Sequence, residues 1–297
     1  MKEPVISIRG LTKNYGDVVG IKDLDLDVQA GEIMGFLGPN GSGKTTTIRT
    51  CLDLIMKTAG EVRIFGLDSH EDSVDIRRRT GYLPGDFGMF PALTVESILR
   101  YLLALNGQDD DGTMLSLAER FDLDMDKKFG TLSRGNRQKV GIVQAFMTDQ
   151  DLVIMDEPTS GLDPLMQQRF YEFLREEKAR GKTIFMSSHI MAEVERVCDR
   201  VAIIREGRLE LVESIDVLKE KMGKRLEIEF GDTVDASVFD IEGVEVSETD
   251  GRNMTLVIIK NLDEVVKLVA EHNVVNMSLE TFSLDQFFMT YYSRRGA

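Results

Sequence analysis

The sequence contains no tryptophan and only two cysteines, three histidines and six prolines among 297 residues. The cysteines, Cys51 and Cys198, lie in different contexts and neither belongs to a Cys-x-x-Cys pair. That argues against a disulfide framework and reads as two buried, reduced thiols. Basic residues are scarce beside acids: 36 Lys and Arg face 51 Asp and Glu, a formal charge of −15. Nucleic-acid binding is driven by counterion release onto a basic surface, so DNA and RNA are not expected partners. The balance does not exclude one bound nucleotide, because backbone N–H groups and one lysine suffice locally. Long apolar runs are also missing, and none approaches the roughly 18 residues of a membrane-spanning helix. The opening Met-Lys-Glu-Pro carries an acid and a proline where a secretory signal is apolar. The expected location is cytoplasmic, with any membrane contact made through a partner. No internal repeat or low-complexity tract appears.

What is present is an ordinary globular composition, 42% apolar. At about 150 residues per domain, the length suggests one large domain or two, with a core that needs no covalent staple. Leu24–Val28 alternates apolar and acidic residues, which suits a half-buried strand. Glu32–Leu37 is an apolar run ending before glycine, the pattern of a buried strand. A helix is expected from about Lys44 to Met56, and further strands at Val5–Gly10, Glu61–Phe65, Leu152–Met155, Thr183–Met186 and Val201–Arg205. Helical patterns at Ser69–Arg79, Pro164–Arg180 and Ile190–Arg196 lie between them. Strands alternating with helices predict a largely parallel sheet covered on both faces. Three helical stretches, Val95–Leu105, Thr113–Phe121 and Asn136–Met147, fill an insert at about 83–148. After Gly223 the pattern changes. Arg225–Phe230 alternates strictly, Asn253–Ile259 follows an Asp-Gly turn, Leu262–His272 is amphipathic, and Val274–Leu279 and Ser283–Tyr292 read as a last strand and helix. The division expected is 1–221, an α/β domain with a helical subdomain, and 222–297, a small α+β domain.

Gly38-Pro-Asn-Gly-Ser-Gly-Lys-Thr45 fits G-x-x-x-x-G-K-[ST], between a predicted buried strand and a predicted helix, which is the context the pattern requires. Glycines let backbone N–H groups turn inward around phosphates, and the helix N-terminus adds partial positive charge. The residues set to hold ATP are Gly38, Pro39, Asn40, Gly41, Ser42, Gly43, Lys44, Thr45 and the adjoining Thr46. Lys44 can reach the β- and γ-phosphates and the Thr45 hydroxyl can ligate Mg²⁺. Leu152-Val-Ile-Met-Asp156-Glu157 is a buried strand ending in two acids. Asp156 suits the Mg²⁺ shell, and Glu157 is placed to orient or deprotonate an attacking water.

At this point the chain, over about residues 4–220, resembles the ATP-binding domains of ABC transporters. Leu132-Ser-Arg-Gly-Asn-Arg-Gln138 looks like the family signature LSGGQ, and Ser160-Gly-Leu-Asp163 like its D-loop. His189 in Ser-Ser-His-Ile looks like the switch histidine. Tyr15 in Leu-Thr-Lys-Asn-Tyr-Gly is similar to the aromatic that stacks on adenine. The resemblance implies the P-loop ABC ATPase fold and an ATPase in which Lys44, Glu157 and His189 act on the phosphates. Thr45 and Asp156 would serve the metal. It also implies that Ser133 and Gly135 face the γ-phosphate bound by a second subunit, a homodimer being the simplest pair. An integral membrane permease would be the partner, docking at the cleft around Gly81–Val95.

Departures are visible too. Gly81-Tyr-Leu-Pro-Gly85-Asp86 puts glycine where most members have a metal-touching glutamine, leaving Asp86 as a possible substitute. In the signature, Arg134 replaces glycine and Asn136 replaces glutamine. These forms, and the ending Glu280–Tyr292, look like ATPase subunits of ABC-2-type exporters, a group with drug-efflux members. An ATP-driven clamp is disfavoured, because 87 positions from Thr45 to Leu132 leave no room for a long coiled coil. A regulatory ABC protein with weak hydrolysis remains the alternative that Gly85 permits.

Overall fold

The computed structural model describes residues 3–281. The expected closing helix, Ser283–Tyr292, lies outside them. Contacts divide the chain into two compact units, Met1–Glu213 and Ser214–Ala297.

In the first unit, strands β1 (Ile6–Tyr15) and β2 (Val18–Val28) form a long hairpin, paired from Ile6 opposite Val28 to Tyr15 opposite Val18. Next come β3 (Ile33–Leu37), α1 (Lys44–Cys51), β4 (Ala59–Ile64), β5 (Leu67–Asp68), α2 (Ser73–Arg78) and β6 (Thr80–Leu83). Helices α3 (Val95–Leu105), α4 (Gly112–Arg120) and α5 (Arg134–Phe146) fill the span before β7 (Leu152–Asp156). The unit continues through α6 (Pro164–Ala179), β8 (Thr183–Ser188), α7 (Met191–Val197) and β9 (Arg200–Arg205) to β10 (Arg208–Ser214).

Two sheets result. One has the order β10-β9-β3-β8-β7-β6, in which β3, β6, β7, β8 and β9 run parallel. Every residue of β3, β7 and β8 is buried, as expected for strands covered on both faces. The other, β2-β1-β4-β5, is antiparallel and was not expected as a sheet of its own. Its alternating burial (Ile6, Ile8 and Leu11 in, Arg9 out) is the mark of a sheet with one wet face. Leu26, Val28 and Val62 from this sheet share one core with Phe36, Ile154 and Phe185 from the parallel one, and Ile48 of α1 lies among them.

Local chemistry sets the helix ends. The helix expected to reach Met56 stops at Cys51, because Asp53 turns left-handed at φ 53°. The Leu54 N–H then returns to the Arg49 carbonyl at 2.8 Å, closing the last turn. Asp163 caps α6 by accepting from the Met166 N–H at 3.0 Å, with Pro164 in the first turn. The helical insert is tied to α6 through Phe173, which meets Phe121 and Phe146 edge-on at 5.4 and 4.8 Å between ring centres.

The second unit opens with α8 (Ile215–Met222), followed by β11 (Lys224–Phe230), β12 (Val244–Asp250), β13 (Asn253–Ile258), α9 (Leu262–Ala270) and β14 (Val274–Thr281). The sheet order is β12-β13-β11-β14, all pairings antiparallel. Leu226, Ile228, Met254 and Leu256 bury against Val265 and Val269 of α9. The sequence pattern did not reveal β12, an edge strand with five of its seven residues exposed, all of them acidic or polar.

Cys51 and Cys198 are both buried and free. Burial pushes the Cys51 thiol up to about 12 and raises that of Cys198 as well. Iodoacetamide at pH 8 is therefore expected to leave the native chain unlabelled and to label both thiols in denaturant. Fast labelling of the native chain would contradict this burial.

Candidate active site

The site is assembled at the ends of β3, β7 and β8. The chain leaves β3 into the phosphate loop, anchored where the Gly38 N–H donates to the Ser188 carbonyl at 3.2 Å. A Cβ at Gly38 would lie 2.3 Å from the Ile204 carbonyl oxygen and 2.6 Å from Ser42 Oγ, so only glycine fits. Gly43, at φ 109°, opens α1 without a side-chain cap. The first N–H groups of α1 therefore have no side chain to answer them, which suits an anion. Pro39, Asn40 and Gly41 form the exposed rim, and Thr46 is half-buried on α1.

Lys44 is buried, and its Nζ donates to the carbonyls of Gly38 (2.7 Å) and Pro39 (3.1 Å), with Glu157 Oε1 at 3.5 Å. Ser42 Oγ is buried without a partner. A cation folded onto its own loop, an orphan hydroxyl and uncapped N–H groups together fit a polyphosphate.

Thr45 Oγ1 donates to Asp156 Oδ2 at 2.6 Å, and Ser187 Oγ donates to Asp156 Oδ1 at 2.5 Å. A hydroxyl beside a fixed carboxylate is an oxygen-only donor set, the chemistry Mg²⁺ prefers. Glu157 follows in the left-handed region at φ 50° and is partly open to solvent. His189 Nδ1 lies 3.2 Å from Glu157 Oε1. Lys44, Thr45, Asp156, Glu157 and His189, spread over 146 positions of sequence, thus converge on one point. Tyr15 ends β1, about half exposed, with Lys13 Nζ 4.9 Å from its ring centre. Its ring would lie 3.0 Å from a Cβ on Gly20, whose carbonyl stands 2.8 Å from a Cβ position on Gly43. That contact chain sets Tyr15 beside the phosphate loop.

Ser133 and Gly135 are placed differently. Ser133 Oγ accepts from the Asn136 N–H at 3.3 Å and caps α5. Gly135 packs on the turn at Ser160–Gly161, where a Cβ would meet the Gly161 oxygen at 2.4 Å. Arg134 Nη2 donates to Ser160 Oγ at 2.6 Å. Gly135→Ala should therefore destabilise the folded chain by about 1–3 kcal/mol, the scale of overpacking, measurable by urea unfolding. An unchanged midpoint would contradict the close approach. A Cβ at Gly85 would sit 3.2 Å from Asp156 Oδ2, so the shortened residue stands next to the metal-type carboxylate. Asp86 is exposed and lines a neighbouring cleft.

Sequence reasoning missed three buried residues here. Ser187 also accepts from the Glu157 N–H at 3.0 Å. Gln138 Nε2 donates to the Pro158 carbonyl at 2.8 Å. Glu193 accepts from Thr159 Oγ1 at 2.5 Å and Ser188 Oγ at 2.7 Å. Burial raises the neighbouring Tyr171 phenol, and the Glu193 charge adds to it. Gln138 ends the signature-like stretch and Ser187 stands in the Ser-Ser before His189, but neither position marked these contacts in the sequence.

Residues 21–160 match the ABC transporter family model, a span holding the phosphate loop, the signature and Asp156–Glu157. Over 295 residues the chain is 34% identical to the bacitracin transport ATP-binding protein BcrA of Bacillus licheniformis, covering 96% of both chains. The chain belongs to the ABC transporter ATP-binding proteins. A second relative, the ABC transporter ATP-binding protein NatA of Bacillus subtilis, is 35% identical over 69% of this chain and 87% of its own. Among solved structures, an ATP-binding subunit of an ABC transporter superposes with a TM-score of 0.67 at 31% identity, over 72% of this chain and 92% of that one. A dimeric ATP-binding cassette in a post-hydrolysis state with ADP and phosphate shares the fold, with a TM-score of 0.66 at 24% identity over 71% and 98%. As an ABC ATPase, the chain binds and hydrolyses ATP.

Proposed function

We propose that this ABC ATPase powers export through a separate membrane permease of the ABC-2 type, with small-molecule or drug-like cargo. The observation that carries this is the end-to-end match to a bacitracin transport subunit, which extends through the C-terminal unit. Among the described residues, no helix is long and apolar enough to cross a membrane, so the path for cargo is assigned to another chain. The protein then works at the cytoplasmic face. The docking surface is the cleft of about 340 Å³ lined by Leu52, Leu54, Pro84, Phe87 and Met89, next to exposed Phe90 and Leu93.

Thr45 and Asp156 would hold Mg²⁺, which would offset charge on the phosphate oxygens. Lys44 leaves its loop carbonyls for the β- and γ-phosphates, and Tyr15 stacks on adenine. Glu157 takes a proton as a water oxygen bonds to the γ-phosphorus and the bond to the β-phosphate oxygen breaks. His189, 3.2 Å from Glu157, keeps that carboxylate aimed and reaches the γ-phosphate. Ser133 and Gly135 complete the site of a second chain, the first-turn N–H groups of α5 other than that of Asn136, which Ser133 caps, meeting its γ-phosphate.

Co-expression with any hydrophobic, multi-span protein found encoded next to this chain tests the reading. The two should co-purify in mild detergent, with ATP turnover raised by the complex. Failure of every such neighbour to bind would favour a regulatory ABC protein with slow hydrolysis, the reading that Gly85 beside Asp156 supports.

A further inference from the structure

Glu157 has a Cβ yet occupies the left-handed region at φ 50°. Such a conformation is costly for a non-glycine residue and persists only where its surroundings over-determine it. Here the Glu157 N–H donates to Ser187 on β8, to the carbonyl at 3.3 Å and to Oγ at 3.0 Å. The far side of the turn is held by α5. Gln138 is 5% exposed, and its Nε2 donates to the Pro158 carbonyl at 2.8 Å and reaches the Glu157 carbonyl at 3.4 Å. The Ser160 N–H closes the turn onto that same Glu157 carbonyl at 3.2 Å. The helix touches the turn twice more, through the Arg134–Ser160 hydrogen bond and the Gly135–Gly161 approach.

We infer that Gln138 is a positioning residue for Glu157: its buried amide pins the Pro158 carbonyl and so fixes the left-handed turn that aims the carboxylate. The inference rests on Glu157 being the base. An apolar residue of equal size would fill the space but leave the Pro158 carbonyl without its donor, and the turn could relax toward ordinary dihedrals. Because Gln138 lies little more than one turn from the Ser133 cap, any shift of the α5 N-terminus would pass directly to Glu157. Arg134, foreign to the usual signature, strengthens that link.

The test compares Gln138→Met and Gln138→His in the full-length chain, each with and without Glu157→Gln. ATP affinity, unfolding midpoint and single-turnover hydrolysis are measured. Gln138→Met should lose roughly 10- to 100-fold in kcat, the scale of a small misplacement at a reacting centre, with ATP affinity unchanged. Gln138→His, which keeps an N–H donor, should recover part of the loss. In the Glu157→Gln background, Gln138→Met should cause little further loss, since both changes remove one function. A wild-type kcat for Gln138→Met, or equal losses in both backgrounds, would overturn the inference. If instead Glu157→Gln itself keeps most of its turnover, the base assignment fails, and Gln138 falls with it for a different reason. Should Gln138→Met not fold, the Gln138→His and Gln138→Glu pair decides: the donor must outperform the acceptor in kcat.

Discussion

Glu157→Gln should cut ATP turnover by at least about 100-fold while leaving ATP binding intact, a loss on the scale of removing a general base. The substitution keeps the shape of the side chain. The amide cannot take a proton from water, yet the backbone bonds from Glu157 to Ser187 and Ser160 do not involve the side chain and should survive. The salt contact with Lys44 and the contact with His189 both lose their charge, so Lys44 is freer to meet phosphate. Binding should therefore hold or tighten. Fluorescent-nucleotide titration with a phosphate-release assay reads both halves. Turnover within a few-fold of wild type would mean that another group accepts the proton.

Lys44→Ala should do the opposite, weakening ATP binding by roughly 10- to 100-fold, on the 1.5–3 kcal/mol scale of charge-assisted hydrogen bonds. The Lys44 Nζ is almost fully buried and carries the cationic charge nearest the loop carbonyls of Gly38 and Pro39. Without it the cradle keeps its N–H groups but loses the charge that offsets the phosphates. The Ser42 hydroxyl remains unpartnered, and alanine leaves a gap beneath the loop. The fold itself should persist, because the β3 strand and α1 are held by the shared core around Phe36 and Ile48. Unchanged affinity in the same titration would remove the loop from the binding site.

The local parts of this site were readable because their chemistry is contiguous. Gly38–Thr45 needs only the chain order of glycines and lysine, and Asp156–Glu157 only an apolar strand ending in acids. The support beneath them was not readable. Ser187 reaches Asp156 across 31 positions and Gln138 reaches Pro158 across 20, so both depend on how β7, β8 and α5 pack. Glutamine and serine inside apolar or helical patterns carry no mark of that role. The fold shows the same divide. Parallel strands β3, β7, β8 and β9 announced themselves as apolar runs, whereas β6, only Thr80-Gly-Tyr-Leu83, is too short and mixed to do so and was not expected. The antiparallel sheet depends on β1 continuing through Asn14 and Tyr15 into a turn and back, past irregular register at Ile8–Leu11 and Leu11–Asn14, which interrupts the alternation. Edge strand β12 is mainly polar because one side of it stays wet.

Under the proposed function, one chain holds only half of a site. Lys44, Asp156 and Glu157 converge within it, while Ser133 caps α5 and Gly135 packs on the turn after Glu157. On that reading hydrolysis is a property of two chains. The direct measurement is ATP turnover per chain against protein concentration, with mass determined by light scattering at each point. The account predicts that turnover per chain rises as dimers form and levels off when pairing is complete. Constant turnover per chain down to concentrations where only monomer scatters would contradict it.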